Sequence, residues 1–166
     1  MKKIISIISV IATTISCSNA QQTEFSKETL EYQLTTKDNN KVSFNSILEK
    51  NKGKKIVIEI WAGWCSDCVK AMPKVKEMQA TNPNVAYVFI SMDKQFDKWN
   101  TAIEKHEIIG EHYWVNDEKM MKGEFGKSLD IDWIPRYIVV NKLGKIELYR
   151  AIETDFEKID KVLKTK

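Results

Sequence analysis

The sequence predicts an α/β domain, and three stretches carry the prediction. Lys55-Ile56-Val57-Ile58-Glu59-Ile60-Trp61 is an apolar run rich in β-branched and aromatic residues, the signature of a buried strand. Val69, Met72, Val75 and Met78 follow at helical spacing. Val85-Ala86-Tyr87-Val88-Phe89-Ile90-Ser91 then reads as a second buried strand, parallel to the first.

The remaining elements are read in chain order. Met1-Lys2-Lys3 is a basic start, and Ile4 to Ile15 is mostly apolar and too short to span a bilayer as a stable helix. Residues 1–20 therefore read as a secretory leader. Thr14-Ile15-Ser16-Cys17 has the form of a loose lipoprotein box, with Cys17 acylated as the first mature residue. Ser18-Asn19-Ala20 has the form of an ordinary cleavage site, in which case Cys17 is discarded; an uncleaved anchor is a third option. Lipidation is favoured, because a cysteine directly after the apolar region otherwise has no role. Residues 21–28 are polar and read as a tether, with the domain occupying 29–166.

Leu30-Glu31-Tyr32-Gln33-Leu34 and Lys41-Val42-Ser43-Phe44 alternate like strands around a turn at Asp38-Asn39-Asn40, an N-terminal hairpin. Asn45 or Ser46 is the expected cap of a short helix that runs through Lys50 and closes at Gly53. The helix after the central strand should reach about Ala80, with a kink at Pro73. Asp93 is the expected cap of a helix with Phe96, Trp99 and Ile103 on one face, and Asp117 of another that runs through Phe125 to Gly126. Tyr137-Ile138-Val139-Val140 and Lys145-Ile146-Glu147-Leu148-Tyr149 form a hairpin about Asn141-Lys142-Leu143-Gly144. A last helix buries Ile152, Phe156, Ile159 and Leu163.

Bulk properties exclude several classes. At 166 residues, 43% hydrophobic and 30% charged, the chain suits one soluble domain with a real core. Its net charge of +3 falls to +1 without Lys2 and Lys3, so there is no electrostatic case for a nucleic-acid partner. Of three cysteines, Cys17 lies in the leader, and Cys65 and Cys68 lie three apart at the strand–helix junction. Zinc normally takes four ligands, and neither a second cysteine pair nor a convincing histidine pair is present. His106 and His112 with Met120-Met121 are too irregular for a copper site. No cofactor or metal is expected.

At a helix start, unpaired N–H groups and the helix dipole favour a thiolate, so Cys65 is the candidate nucleophile. Cys68, one turn on, is placed to attack the mixed disulfide that Cys65 forms with a target. Trp64 is placed to shield Cys65 and offer a flat apolar contact. The other tryptophans read as core or rim. Glu59, a carboxylate in mid-strand, either has a purpose or faces water on a half-exposed strand.

Trp61-Ala62-x-Trp64-Cys65-x-x-Cys68, Pro73 and Ile134-Pro135 agree in order and spacing with the thioredoxin superfamily, and the chain most resembles its extracytoplasmic TlpA/ResA-like thiol–disulfide oxidoreductases over roughly Thr29 to the C-terminus. The resemblance implies a three-layer α/β thioredoxin fold with an N-terminal β-hairpin and a central helical insertion. It implies a redox-active Cys65–Cys68 pair, a buried Glu59 that shuttles the Cys68 proton, and a cis proline, Pro135, beside which the Ile134 backbone pairs with substrate. Ser66-Asp67 replaces the Gly-Pro of thioredoxin, and Arg136 follows the proline. Asp67 argues for a weakly stabilised thiolate and hence a reductant; Arg136 works the other way, which keeps a disulfide oxidase or isomerase in view. A non-catalytic thioredoxin-fold binding module is the contrasting class, which the intact cysteine pair and Glu59 disfavour. The expected partners are protein disulfides or dithiols, a membrane redox donor, and the membrane itself through a lipid anchor. The expected location is the periplasmic side of a bacterial envelope, tethered or soluble.

Overall fold

A computed structural model describes residues 22–165. The leader, including Cys17, lies outside the described residues. The elements are a helix at Lys27–Glu31 (α1), strands Gln33–Thr36 (β1) and Lys41–Ser43 (β2), helix Phe44–Lys50 (α2), strand Ile56–Trp61 (β3), helix Ser66–Thr81 (α3), strand Ala86–Ser91 (β4), helix Phe96–His106 (α4), strand Glu111–Trp114 (β5), a 3₁₀ turn at Met120–Lys122, helix Glu124–Ser128 (α5), strands Arg136–Val140 (β6) and Ile146–Ala151 (β7), and helix Phe156–Leu163 (α6).

All seven strands form one sheet in the order β2-β1-β5-β4-β3-β6-β7. β3 runs parallel to β4 and antiparallel to β6, and every one of its residues is buried. That is why its sequence is almost continuously apolar: a central strand covered on both faces has no polar side to alternate with. Alternation sends Ile56, Ile58 and Ile60 to one face and Val57, Glu59 and Trp61 to the other.

α3 covers the Glu59 face. Tyr87, the partner of Val57, donates its hydroxyl to the Met78 carbonyl of α3 at 3.0 Å. α6 covers the same face, with Phe156 5.4 Å from the ring of Tyr137, the partner of Glu59. On the opposite side Leu48 of α2 shares a cavity wall with Ile56, and Phe44 of α2 meets Phe125 of α5 at 5.7 Å. The result is the three-layer α/β thioredoxin fold, with the β1–β2 hairpin added at one edge.

Several local expectations are corrected. Residues 23–28 are not a loose tether. Phe25 packs edge-on against Phe44 at 4.9 Å, and the Thr23 carbonyl accepts the Ile146 N–H at 2.9 Å. Leu30 and Glu31 belong to α1 rather than to a strand. Ser26 caps that helix through the Thr29 N–H at 3.2 Å, and this local capping outweighs a short alternation. α2 begins one turn earlier than expected, capped by Ser43. Asp93 caps nothing; Gln95 holds the cap position of α4 without a side-chain bond. The helix expected from Asp117 to Gly126 is broken into the 3₁₀ turn and α5, and Gly126 lies inside α5, where a Cβ would come within 2.2 Å of the Met121 carbonyl oxygen. The long connection between β4 and β6 also supplies β5, which has too short a run to register as a strand in sequence.

Lys55 ties β3 to the end of α6. Its ammonium is buried, donates to the Val162 carbonyl at 2.5 Å and to Thr165 Oγ1 at 2.7 Å, and pairs with Glu147 at 3.0 Å. A cation on the last carbonyls of a helix is favoured by its dipole. Lys55→Met keeps the stem but removes these bonds. It should lower unfolding stability by about 2 kcal/mol, the scale of a hydrogen bond to a charged group. Urea unfolding checks this; an unchanged midpoint would mean that the lysine holds nothing.

Candidate active site

The site stands at the carboxyl end of β3. Trp61 closes the strand, Ala62-Gly63-Trp64 turns the chain, and the Cys65 N–H bonds the Ala62 carbonyl at 3.0 Å. Cys65 is the cap residue of α3, and its Sγ accepts the Cys68 N–H at 3.1 Å. Cys65 and Cys68 are joined as a disulfide with Cα atoms 5.3 Å apart. Their surroundings differ: Cys65 keeps a 6% edge to solvent, and Cys68 has none. α3 runs on through Pro73 to Thr81.

Ile134 and Pro135 come to the same place from the start of β6. The bond between them is cis, and the Ile134 carbonyl oxygen lies 3.5 Å from Cys65 Sγ. Trp64 and Trp133, both more than half exposed, flank a shallow cavity of about 230 Å³ whose wall includes Cys65, Asp67, Met121 and Ile134. Met120 joins Trp64 in the adjoining cleft. Met121 thus lines the cavity beside Cys65, and Met120 the cleft beside Trp64.

Two supports were not legible in the sequence. Asp93, at the end of β4, accepts the Gly63 N–H at 2.9 Å and the Ser91 hydroxyl at 2.8 Å, and its own carbonyl accepts the Trp114 indole N–H at 2.6 Å. It fastens the turn before Cys65 to the neighbouring strand. Gly63 is required there, because a Cβ would come within 2.4 Å of the Ala102 Cβ on α4. The second support is a pair of arginines. Arg136 donates to Asp132 at 2.7 Å; Arg150 pairs with Asp132 at 2.6 Å and also with Asp130. The two guanidiniums hold the Asp132 carboxyl well below the usual carboxylate range. They brace the loop that presents Trp133 and Ile134. Arg136 is therefore engaged with Asp132, where the sequence had set it against Asp67.

Glu59 is 1% exposed, on the face of β3 that α3 covers. Neither carboxyl oxygen meets a donor in full hydrogen-bond geometry among the described residues. Burial pushes its pKa up to about 8, and the hydroxyl of Tyr137, its cross-strand neighbour, opposes that rise only in part.

Comparison with known proteins agrees with this geometry. The family model for thioredoxin-like proteins matches residues 53–146, more than half of the chain. The thiol–disulfide oxidoreductase ResA of Bacillus cereus is 24% identical over 160 residues, covering 89% of this chain and 81% of that protein. A solution structure assigned as a thiol–disulfide oxidoreductase from Bacteroides vulgatus superposes with a TM-score of 0.63 at 26% identity, over 78% of this chain and 82% of that one. A thiol–disulfide oxidoreductase from Bacteroides fragilis gives a TM-score of 0.65 at 24% identity, over 79% and 96% of the two chains. The chain belongs to the thioredoxin-like family. Within that family, a cysteine pair that closes at a helix start makes it a thiol–disulfide oxidoreductase, similar to ResA.

The Glu59 pKa sets a pH dependence of stability. The folded state holds the Glu59 proton more tightly than the unfolded state, whose ordinary carboxyl pKa is 4.5. Its contribution is therefore full below that value and is lost as pH rises toward about 8. Between pH 5 and pH 8 the oxidised protein should lose about 3 kcal/mol that the Glu59→Gln variant keeps. Urea unfolding of both at the two pH values measures the difference; an equal gap at each pH would place Glu59 in a solvated setting.

Proposed function

We propose that the chain is an extracytoplasmic reductant that opens disulfides in other envelope proteins. The observation that carries the reading is the unequal burial of the cysteines. Only Cys65 has an edge in the cleft between Trp64 and Trp133, and Cys68 is sealed beneath it.

In the reduced form the Cys65 thiolate attacks a target disulfide. One target sulfur leaves with the electron pair, and a Cys65–target disulfide forms. Trp64 gives the target an apolar seat, and the Ile134 backbone beside Pro135 pairs with its extended chain. Cys68 gives its proton to Glu59 and attacks Cys65 Sγ. The Cys65–target bond breaks, the reduced target departs, and the internal disulfide is restored. Glu59 suits the acceptor role because a carboxyl with a pKa near the working pH both takes and returns a proton.

The direction rests on the thiolate environment. The Cys68 N–H reaches Cys65 Sγ, while Asp67 places a carboxylate in the same first turn, paired with Lys70 at 3.5 Å. That setting favours a moderately stabilised thiolate and a reducing pair. Attachment is assigned to the leader, with a lipid on Cys17 and a membrane redox partner returning the disulfide to dithiol. Among the described residues no helix is long and apolar enough to cross a membrane.

Cys68→Ser should accumulate Cys65-linked mixed disulfides that dissolve in dithiothreitol, and Cys65→Ser should accumulate few. Non-reducing gels with mass spectrometry of the adducts check this. Equal trapping by the two variants would reverse the roles.

A further inference from the structure

Three buried polar side chains that fall short of full hydrogen-bond geometry among the described residues are neighbours in the fold. They are Glu59 through both carboxyl oxygens, Tyr137 through its hydroxyl, and Glu153 through Oε2. Sheet register brings the first two together and sets the end of β7 beside Tyr137. Glu59 on β3 pairs with Tyr137 on β6, and Tyr137 pairs with Ala151 at the end of β7, the edge strand. Glu153 lies two residues beyond Ala151, in the turn that leads from β7 to α6. Burial and both carboxylates push the Tyr137 hydroxyl far above its ordinary pKa, so each carboxylate is electrostatically close to it. Exposure rises from the first to the last: Glu59 is buried in the centre of the sheet, Tyr137 is buried beside it, and Glu153 is partly exposed.

Native proteins pair their buried polar groups, so neighbouring buried groups that fall short of full hydrogen-bond geometry ask for a purpose. Glu59 also poses a problem for the mechanism. A group with no path to solvent cannot deliver a proton that it has taken from Cys68 before the next turnover.

We propose that Tyr137 and Glu153 form the proton path between Glu59 and solvent. This rests on the reading above in which Glu59 accepts the Cys68 proton. In the resolving step Cys68 Sγ forms its bond to Cys65 Sγ, and the Cys65–target bond breaks. The electron pair leaves on the target sulfur, which takes a proton from water. The Cys68 proton is then on Glu59. Glu59 passes it to Tyr137 Oη as the hydroxyl gives its own proton to the Glu153 carboxylate, and Glu153 releases it to water. Tyr137 ends as it began. A hydroxyl serves because it donates and accepts at one atom, and its high pKa keeps the phenolate from accumulating. Reduction of the disulfide runs the path inward.

The test is single-turnover resolution of a preformed Cys65–glutathione mixed disulfide, in water and in deuterium oxide, for the full chain and its variants. Tyr137→Phe keeps the ring against Phe156 and removes the hydroxyl alone. It should slow resolution by about threefold to tenfold, the low part of the range for a positioned proton-transfer group. Formation of the mixed disulfide and the urea midpoint should not fall. Glu153→Gln should show the same slowing, and Glu59→Gln with Tyr137→Phe should be no slower than Glu59→Gln alone. If Glu59→Gln slows resolution but Tyr137→Phe matches the parent in rate and isotope effect, the relay is overturned and the Glu59 reading stands. If Glu59→Gln itself matches the parent, both are overturned.

Discussion

Cys65 occupies the cap position of α3, where its sulfur takes the place of the hydroxyl or carboxylate that usually accepts the first free N–H of a helix. That contact decides much of the rest. It sets Cys68 one turn away and inward, so that the pair can close, and it keeps one sulfur in the cleft and the other beneath it. The turn before Cys65 must then be held still. Asp93 holds it through the Gly63 N–H, and Gly63 lets α4 approach within a distance that no side chain would allow. On the other side the Asp132–Arg136–Arg150 network holds the loop that sets Ile134 against Cys65 Sγ. The reacting sulfur is thus positioned by three separate segments, each anchored to the sheet.

The same central strand that delivers the motif carries a buried carboxyl, Glu59. An ionisable group in that setting destabilises the fold when it is ionised, as its pKa of about 8 records. An apolar residue at this position would give a more stable protein but would lack the carboxyl that the proposed resolving step uses. Burial thus supplies the property that the proposed chemistry needs, and its cost grows with pH.

The sequence made the centre of the fold legible because the centre obeys simple rules. A short, almost continuously apolar run rich in β-branched residues reads as a covered strand, and two cysteines after it at a helix start have few other uses. Cys65, Cys68, Glu59, Trp64, Ile134 and Pro135 were all named from the chain alone, and the structure gathers the cysteines with Trp64 and Ile134 around one cleft. What was missed depends on long-range partners. Asp93 reads as a helix cap from local pattern, and its actual partner, Gly63, is 30 residues away. Residues 23–28 look like a polar tether because Phe25 is a lone aromatic whose partner, Phe44, follows after two strands. β5 is four residues long and half polar, and it becomes a strand because β4 and β1 offer edges on both sides. The nearness of Glu153 to Tyr137 appears only once β6 and β7 are in register.

The central claim is that the Cys65–Cys68 pair is a reductant, and its reduction potential tests that most directly. Equilibration of the purified protein with glutathione redox buffers, followed by quantification of the two thiols, gives the value. A weakly stabilised thiolate predicts a potential near that of thioredoxin, about −270 mV. A value near that of DsbA, about −120 mV, would make the pair an oxidant and contradict the account.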